Sequence, residues 1–203
     1  MALNADALCT LDEVKQYLNI DSTDPDHDTD DAVLERLINA ASEYLKRESQ
    51  REFIPLSTQP EARTFPVSYW DALLGKIRVG DVREVDDVTV YGPDGTTYAF
   101  YTETLLLPYG QPPYQAIRIP YGQYLVTGGY AVVNGTWGWA DSIAGVPEDI
   151  RQAVILTVGT WYARDVEDFS ATFSIDQSHI VVPRAVPSTA RDIVESYRIY
   201  RVA

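Results

Sequence analysis

Thr136-Trp-Gly-Trp139 and the stretch just beyond it, Val146-Pro-Glu-Asp-Ile-Arg-Gln-Ala-Val-Ile-Leu-Thr-Val-Gly-Thr-Trp-Tyr-Ala-Arg164, decide how the chain is read. Pro147 suits the first turn of a helix, where its missing N–H would be unpaired anyway. Glu148 and Asp149 then set negative charge against the positive end of the helix dipole. Ile150, Val154, Thr157, Val158, Trp161 and Tyr162 recur at helical spacing, and Ala153, Ile155 and Leu156 widen the face. Only Arg151, Gln152 and the end near Arg164 and Asp165 read as wet. A helix apolar over most of its circumference is packed on several sides. The segment therefore predicts a long central helix with a structural role. Trp137 and Trp139, flanking Gly138, read as anchors pinning a β module to that helix.

Toward the N-terminus, Thr10-Leu-Asp-Glu13 is a capping-box pattern, and Leu11, Val14, Tyr17 and Leu18 form the stripe of a short first helix. The run Asp21-Ser-Thr-Asp-Pro-Asp-His-Asp-Thr-Asp-Asp31 follows. Asp24, Asp26, Asp28, Asp30 and Glu35 there occupy ligand positions of a calcium-loop template. Thr29 stands where that loop needs Gly, and Pro25 stiffens its start. A solvated loop capping the next helix explains the run more simply, so no metal is expected. A second helix is predicted from about Asp30 to Arg51, with Val33, Leu34, Leu37, Ile38, Ala41, Tyr44 and Leu45 on one face. The first two helices are expected to be antiparallel.

Between about Glu61 and Val133 the periodicity changes. Arg63–Val67, Lys76–Val79, Val88–Tyr91, Thr97–Tyr101, Ala116–Ile119 and Gly129–Val133 are short, β-branched or aromatic, and bounded by turn residues. Gly92-Pro-Asp-Gly95 is a hairpin turn. The expected fold is α+β: a helical body over residues 1–55 and 136–203, with a small antiparallel β barrel or sandwich inserted over 61–133. Leu107–Tyr114 reads as an exposed loop and Ser178-His-Ile-Val-Val182 as a β arm. Residues 187–197 form a last helix, followed by the basic, apolar tail Arg198-Ile-Tyr-Arg-Val-Ala203.

The net charge of −14 argues against a nucleic-acid footprint, which is basic, and against docking on anionic lipid. Cys9 is the only cysteine, so no internal disulfide or four-cysteine zinc site is possible. The start Met1–Asp6 lacks the basic and apolar runs of a signal peptide, and no apolar run approaches membrane-spanning length. No catalytic set emerges. Asp176, Ser178 and His179 are sequence neighbours, whereas a triad converges from separate elements, and His27 sits in the acidic run. Tyr91, Tyr98, Tyr101, Tyr109, Tyr114, Tyr121, Tyr124 and Tyr130 allow a carbohydrate-stacking surface, but tyrosine is equally a residue of protein interfaces.

Four stretches together resemble the head–tail connector (adaptor) proteins of long-tailed bacteriophages. They are Leu8–Leu18 followed by Asp30–Ala41, then Gly135-Thr-Trp-Gly-Trp-Ala140, then Val146–Val154 with Trp161-Tyr162, and finally Val186-Pro187 through Tyr197-Arg198. The likeness thins over about residues 55–130. It implies a non-enzymatic part of the virion neck, made in the host cytoplasm and needing no cofactor. Such proteins form a dodecameric ring beneath the portal and bridge it to the tail-completion or tail-terminator protein. Genomic DNA passes through the ring without specific binding, and no membrane is involved. The resemblance makes Arg191, Tyr197, Arg198, Tyr200 and Arg201 candidates for portal contact. Glu35, Glu43 and Glu48 become candidates for an acidic channel wall. A tail-completion or tail-terminator protein is the near alternative, and a carbohydrate-binding β module the distant one.

Overall fold

The computed structural model describes residues 2–20, 28–56, 60–120, 125–168 and 186–199. In chain order the elements are α1 (Leu11–Leu18), α2 (Asp28–Ser49), β1 (Glu61–Pro66), α3 (Tyr69–Leu74), β2 (Lys76–Tyr91) and β3 (Thr97–Tyr101). Then come β4 (Leu105–Leu107), β5 (Tyr114–Arg118), β6 (Tyr130–Trp137), α4 (Glu148–Asp168) and α5 (Ser188–Tyr197). They fall into two compact units: a helical one, Met1–Arg51 with Ser142–Ala203, and a β unit, Glu52–Asp141. The expected arm over Ser178–Val182 lies outside the described residues.

In the helical unit, α1, α2 and α5 all pack on α4. Ala153, Val154, Ile155, Thr157, Val158 and Gly159 are buried in near succession, as an all-round apolar helix requires. The one hydroxyl in that run, on Thr157, donates to Ala153 O at 2.7 Å. From α2 the buried stripe is Leu34, Ile38, Ala41 and Leu45. Gly159 lets α1 approach closely, since a Cβ there would stand 2.8 Å from the Tyr17 ring.

Polar ties fix the helices. Glu13 Oε2 accepts from Thr10 N at 2.8 Å while Thr10 Oγ1 accepts from Glu13 N at 3.2 Å, the reciprocal capping box. The other oxygen of Glu13 holds Arg151 of α4 at 2.7 Å. Lys15, buried, pairs with Asp31 of α2 at 2.6 Å, and Lys46 pairs with Asp6.

The β unit is one open antiparallel sheet in the order β1-β6-β2-β5-β4, with β3 on β2. This corrects the expected barrel or sandwich. The pivot is β2, a single strand where two runs, Lys76–Val79 and Val88–Tyr91, are separate in the sequence reading. Val82–Tyr91 pairs with β6, while β5 takes Lys76–Val82 and β3 takes Val88–Tyr91. Register shifts interrupt these pairings between Arg78 and Val82, Val82 and Glu84, and Val85 and Asp87. Such irregularities bend and twist a strand, so the sheet curves around one core that includes Ile77, Val82, Val88, Ile117, Val133 and Trp137. Closure fails because β1 pairs with β6 and the three-residue β4 with β5, and the two are not joined.

Helix α3 was not anticipated. Six residues are too few for a helical period to register, although its start is signalled by Ser68 and Asp71, which form a second capping box. Gly75, in the left-handed region at φ 61°, ends it.

Glu13→Ala removes half of a capping box and the partner of Arg151 together. It is expected to cost roughly 1–3 kcal/mol in urea unfolding with an unchanged slope. Asp12→Ala, exposed on the same helix, is expected to stay within about 0.5 kcal/mol.

Candidate functional site

The Trp-Gly-Trp segment is where the chain leaves the β unit, and it is bonded to the segment by which the chain enters. Trp139 N donates to Glu52 O and Phe53 O, both at 2.9 Å, and Ala140 N to Phe53 O at 2.8 Å. Gly138 N donates to Asp81 O of β2 at 2.9 Å. Gly138 itself has φ +85°, and a Cβ there would meet Pro55 Cδ at 2.7 Å and Pro55 N at 3.2 Å. Only glycine satisfies both conditions. The Trp137 indole is buried, donates from Nε1 to Glu61 O at 2.8 Å, and lies 5.5 Å from the Phe65 ring. The Arg63 guanidinium covers its face at 4.6 Å and reaches Glu52 with its other side. Trp139 packs on Phe53 at 5.9 Å.

The surfaces available to partners are unevenly placed. Among the described residues the large exposed apolar side chains lie in the β unit, Tyr17 excepted. Tyr69, Trp70, Leu73 and Leu74 stand on α3, Tyr98 and Phe100 on β3, Leu105 on β4 and Tyr109 just beyond. Sequence reasoning missed these as a set. The available signal was charge, since from Thr96 to Ile117 the chain holds one charged residue, Glu103.

The tyrosines do not form one platform. Tyr91 and Tyr130 stack on each other at 4.8 Å, Tyr101 is buried, and Tyr98 lies against Gly92. The Tyr114 hydroxyl donates to Gly110 O at 3.1 Å. Tyr121 and Tyr124 are outside the described residues.

The portal-contact candidates divide. Arg191 and Arg198 are exposed, Arg198 lying 3.3 Å from Glu195. Tyr197 is instead turned into the helical unit. Its hydroxyl donates to Asp149 at 2.9 and 3.0 Å, and its carbonyl accepts from Arg51 Nε. Ile199 N donates to Ser49 O at 3.0 Å, which latches the chain to the end of α2. Tyr200 and Arg201 lie outside the described residues.

The acidic candidates do not share one face. At 100° per residue Glu35 and Glu43 are about 80° apart and Glu48 is about 140° beyond Glu43. The exposed stripe of α2 carries Arg36, Glu43 and Arg47, a mixed face. Helix α2 already begins at Asp28, so Asp28, Asp30 and Glu35 are helical where the calcium template needs a loop. Asp24 and Asp26 are outside the described residues.

A groove of about 290 Å³ between α1 and the start of α4 is lined by Glu13, Gln16, Tyr17, Glu148, Gln152 and Ile155. Glu13 and Glu148 there are both tied to Arg151, and no Ser, Cys, Lys or His is among the lining residues. Cys9 is buried, and burial with the charge of Glu13 pushes its thiol up to about 12, away from the reactive thiolate. Among the described residues no helix is long and apolar enough to cross a membrane.

The model of the head completion protein family matches residues 7–200. The chain belongs to the head completion protein family. That membership bears out the sequence resemblance to neck proteins, and it extends through the β-rich middle where the likeness thins. In fold, the chain is similar to a chain in the neck of an empty gene transfer agent particle computed with C6 symmetry. The TM-score is 0.62 at 17% identity, covering 100% of this chain and 95% of that one. It is also similar to a chain in the neck of the native particle computed with C12 symmetry, with TM-score 0.55 at 20% identity, covering 100% and 94%. A chain of the native virion gives TM-score 0.53 at 20% identity, covering 100% and 95%. Among curated proteins none matches the sequence.

Two outcomes are expected of variants at Tyr197 and Gly138. Burial first, then the hydrogen bond to Asp149 and its charge, push the Tyr197 phenol from 10.0 up to about 12. The neutral phenol is therefore favoured in the folded state. Its contribution is complete below pH 10.0 and is lost as pH rises toward about 12. Tyr197→Phe is expected to lower stability at neutral pH by about 1 kcal/mol and to flatten that alkaline decline in unfolding curves. Gly138→Ala combines a strained φ with crowding against Pro55 and is expected to cost roughly 1–3 kcal/mol. Gly95→Ala has the strain alone, at φ +80° with open space around it, and is expected to cost less in the same thermal melts.

Proposed function

We propose that this chain is a non-enzymatic subunit of the phage neck. Copies form a dodecameric ring that joins the portal to the tail-completion or tail-terminator protein and surrounds the DNA channel. The observation that carries the reading is the fold likeness along the whole chain to a chain in a neck computed with C12 symmetry. Membership of a head completion family supports it from the sequence side.

In this reading Trp137 and Trp139 anchor the β unit where the chain enters and leaves it. The C-terminal segment reaches the portal through Arg191, Arg198, Tyr200 and Arg201, while Tyr197 serves as the latch behind it. DNA passes without being gripped. A net charge of −14 per copy offers no phosphate neutralisation and no counterion release. Of the three acidic candidates Glu43 shares the exposed stripe with Arg36 and Arg47 and faces the channel in this reading, while Glu35 and Glu48 point elsewhere, so repulsion comes from the ring's overall charge more than from one acidic stripe.

The test is assembly. Purified chain added to DNA-filled heads made without it is expected to restore tail attachment, scored as infectious titre. A chain ending at Ile199 keeps the latch, so it is expected to match the full chain in thermal stability yet fail to restore attachment. Full activity of that truncated chain removes the portal role of the tail. Failure of the intact chain to restore attachment removes the neck reading.

A further inference from the structure

We propose that α3 of one copy seats on the β3–β4 face of the next copy, so that the β unit supplies both halves of the contact that closes the ring. The inference rests on the ring reading and names the surfaces that would make it.

Two apolar sets stand on the same unit. Tyr69, Trp70, Leu73 and Leu74 of α3 are 53–61% exposed. The only charge in α3, Asp71, is buried in the cap with Ser68 and paired at 3.4 Å with the half-exposed Arg78 of β2, so the exposed side chains of the helix itself carry none. Tyr98, Phe100, Leu105 and Tyr109 are 52–66% exposed, on a stretch whose single charge is Glu103. Helix α3 leads straight into Lys76 at the start of β2, whereas Tyr98 and Phe100 sit on β3, which pairs with Val88–Tyr91 at the other end of that strand, so α3 and the β3 side chains stand at opposite ends of β2.

Their size and charge select the occupant. Large aromatic side chains offer roughly 150–250 Å² each, so at these exposures each set presents on the order of 400 Å² of apolar area. That is the scale of a patch marking an interaction site, and it fits the apolar centre of a standard interface of about 800 Å² per partner. A head-to-tail ring needs two unlike surfaces of matched area on every subunit, and these two are unlike and matched. One external partner covers one patch and leaves the other wet. Copies carrying −14 each repel one another, so their contact belongs where charge is absent. Helix α3, β3 and β4 together carry one charged residue, the buried Asp71.

Thiol cross-linking in assembled particles tests this, because Cys9 is buried and stays silent. Chains carrying Trp70→Cys, Phe100→Cys or both are assembled into particles and treated with a bismaleimide. The double variant is expected to give a ladder of covalent multimers on a denaturing gel, and each single variant a monomer band. Leu73→Cys paired with Tyr98→Cys repeats the test at a second pair of exposed positions, should the first pair disturb folding. Dimers from a single variant overturn the proposal, since they mean a surface meeting its own copy. So does the absence of a ladder from both double variants in particles that contain them. Mass spectrometry of wild-type particles keeps the two levels apart. A chain missing from the particle removes the neck reading and this inference with it, whereas a chain present without a ladder removes the inference alone.

Discussion

Everything in the β unit hangs on a few backbone hydrogen bonds between its entering and leaving segments. Trp139 and Ala140 donate to Glu52 and Phe53, and Gly138 donates to Asp81. A unit held in the middle of a chain must return its end to near its beginning, and here that return is made by main-chain groups. The side chains then seal it: Trp137 is buried under Arg63 and beside Phe65, and Trp139 lies on Phe53. Gly138 sits between two indoles because the turn needs a positive φ and no Cβ beside Pro55. The sequence Trp-Gly-Trp is thus the local solution to a topological demand.

With that return fixed, each unit can have its own surface chemistry. In the helical unit ion pairs bind helix to helix: Arg151 to Glu13, Lys15 to Asp31, Lys46 to Asp6. Much of the apolar surface of that unit is spent on the circumference of α4. The β unit buries the inner face of its curved sheet and leaves large aromatic and aliphatic side chains on α3, β3 and β4 in the open. For a chain with a net charge of −14, such exposure is costly unless something covers it.

The helices were legible because their signal is repetitive. Thr10 and Glu13 announce α1, the stripe Leu34, Ile38, Ala41 and Leu45 announces α2, and the apolar run after Ile150 announces α4. The structure buries Val14, the α2 stripe and most of the run from Ile150 to Val158, while Leu11 and Leu18 are half-buried and Tyr17, on the expected stripe of α1, stays 47% exposed. Five of the six strands were legible as apolar or aromatic runs, but the three-residue β4 and the joining of two runs into β2 were not. That β2 is one bent strand follows from register shifts near Gly80 and Asp87, which are properties of pairing with β5 and β6. An open edge, likewise, depends on partners distant in sequence. At the surface, the tail's chemistry drew attention to Tyr197, yet its hydroxyl is committed to Asp149 on another helix. The exposed side of α3 went unread because six residues are too few for a helical face to show in the sequence.

The central claim is that this chain is one of many identical copies around the axis of a phage neck. A cryo-EM reconstruction of the particle at the portal vertex, at a resolution that traces side chains, tests it most directly. The account predicts a closed ring below the portal into which this chain, with its open six-stranded sheet, can be built with unbroken sequence. A neck fully explained by other chains, with this one absent or present as a single copy off the axis, contradicts it.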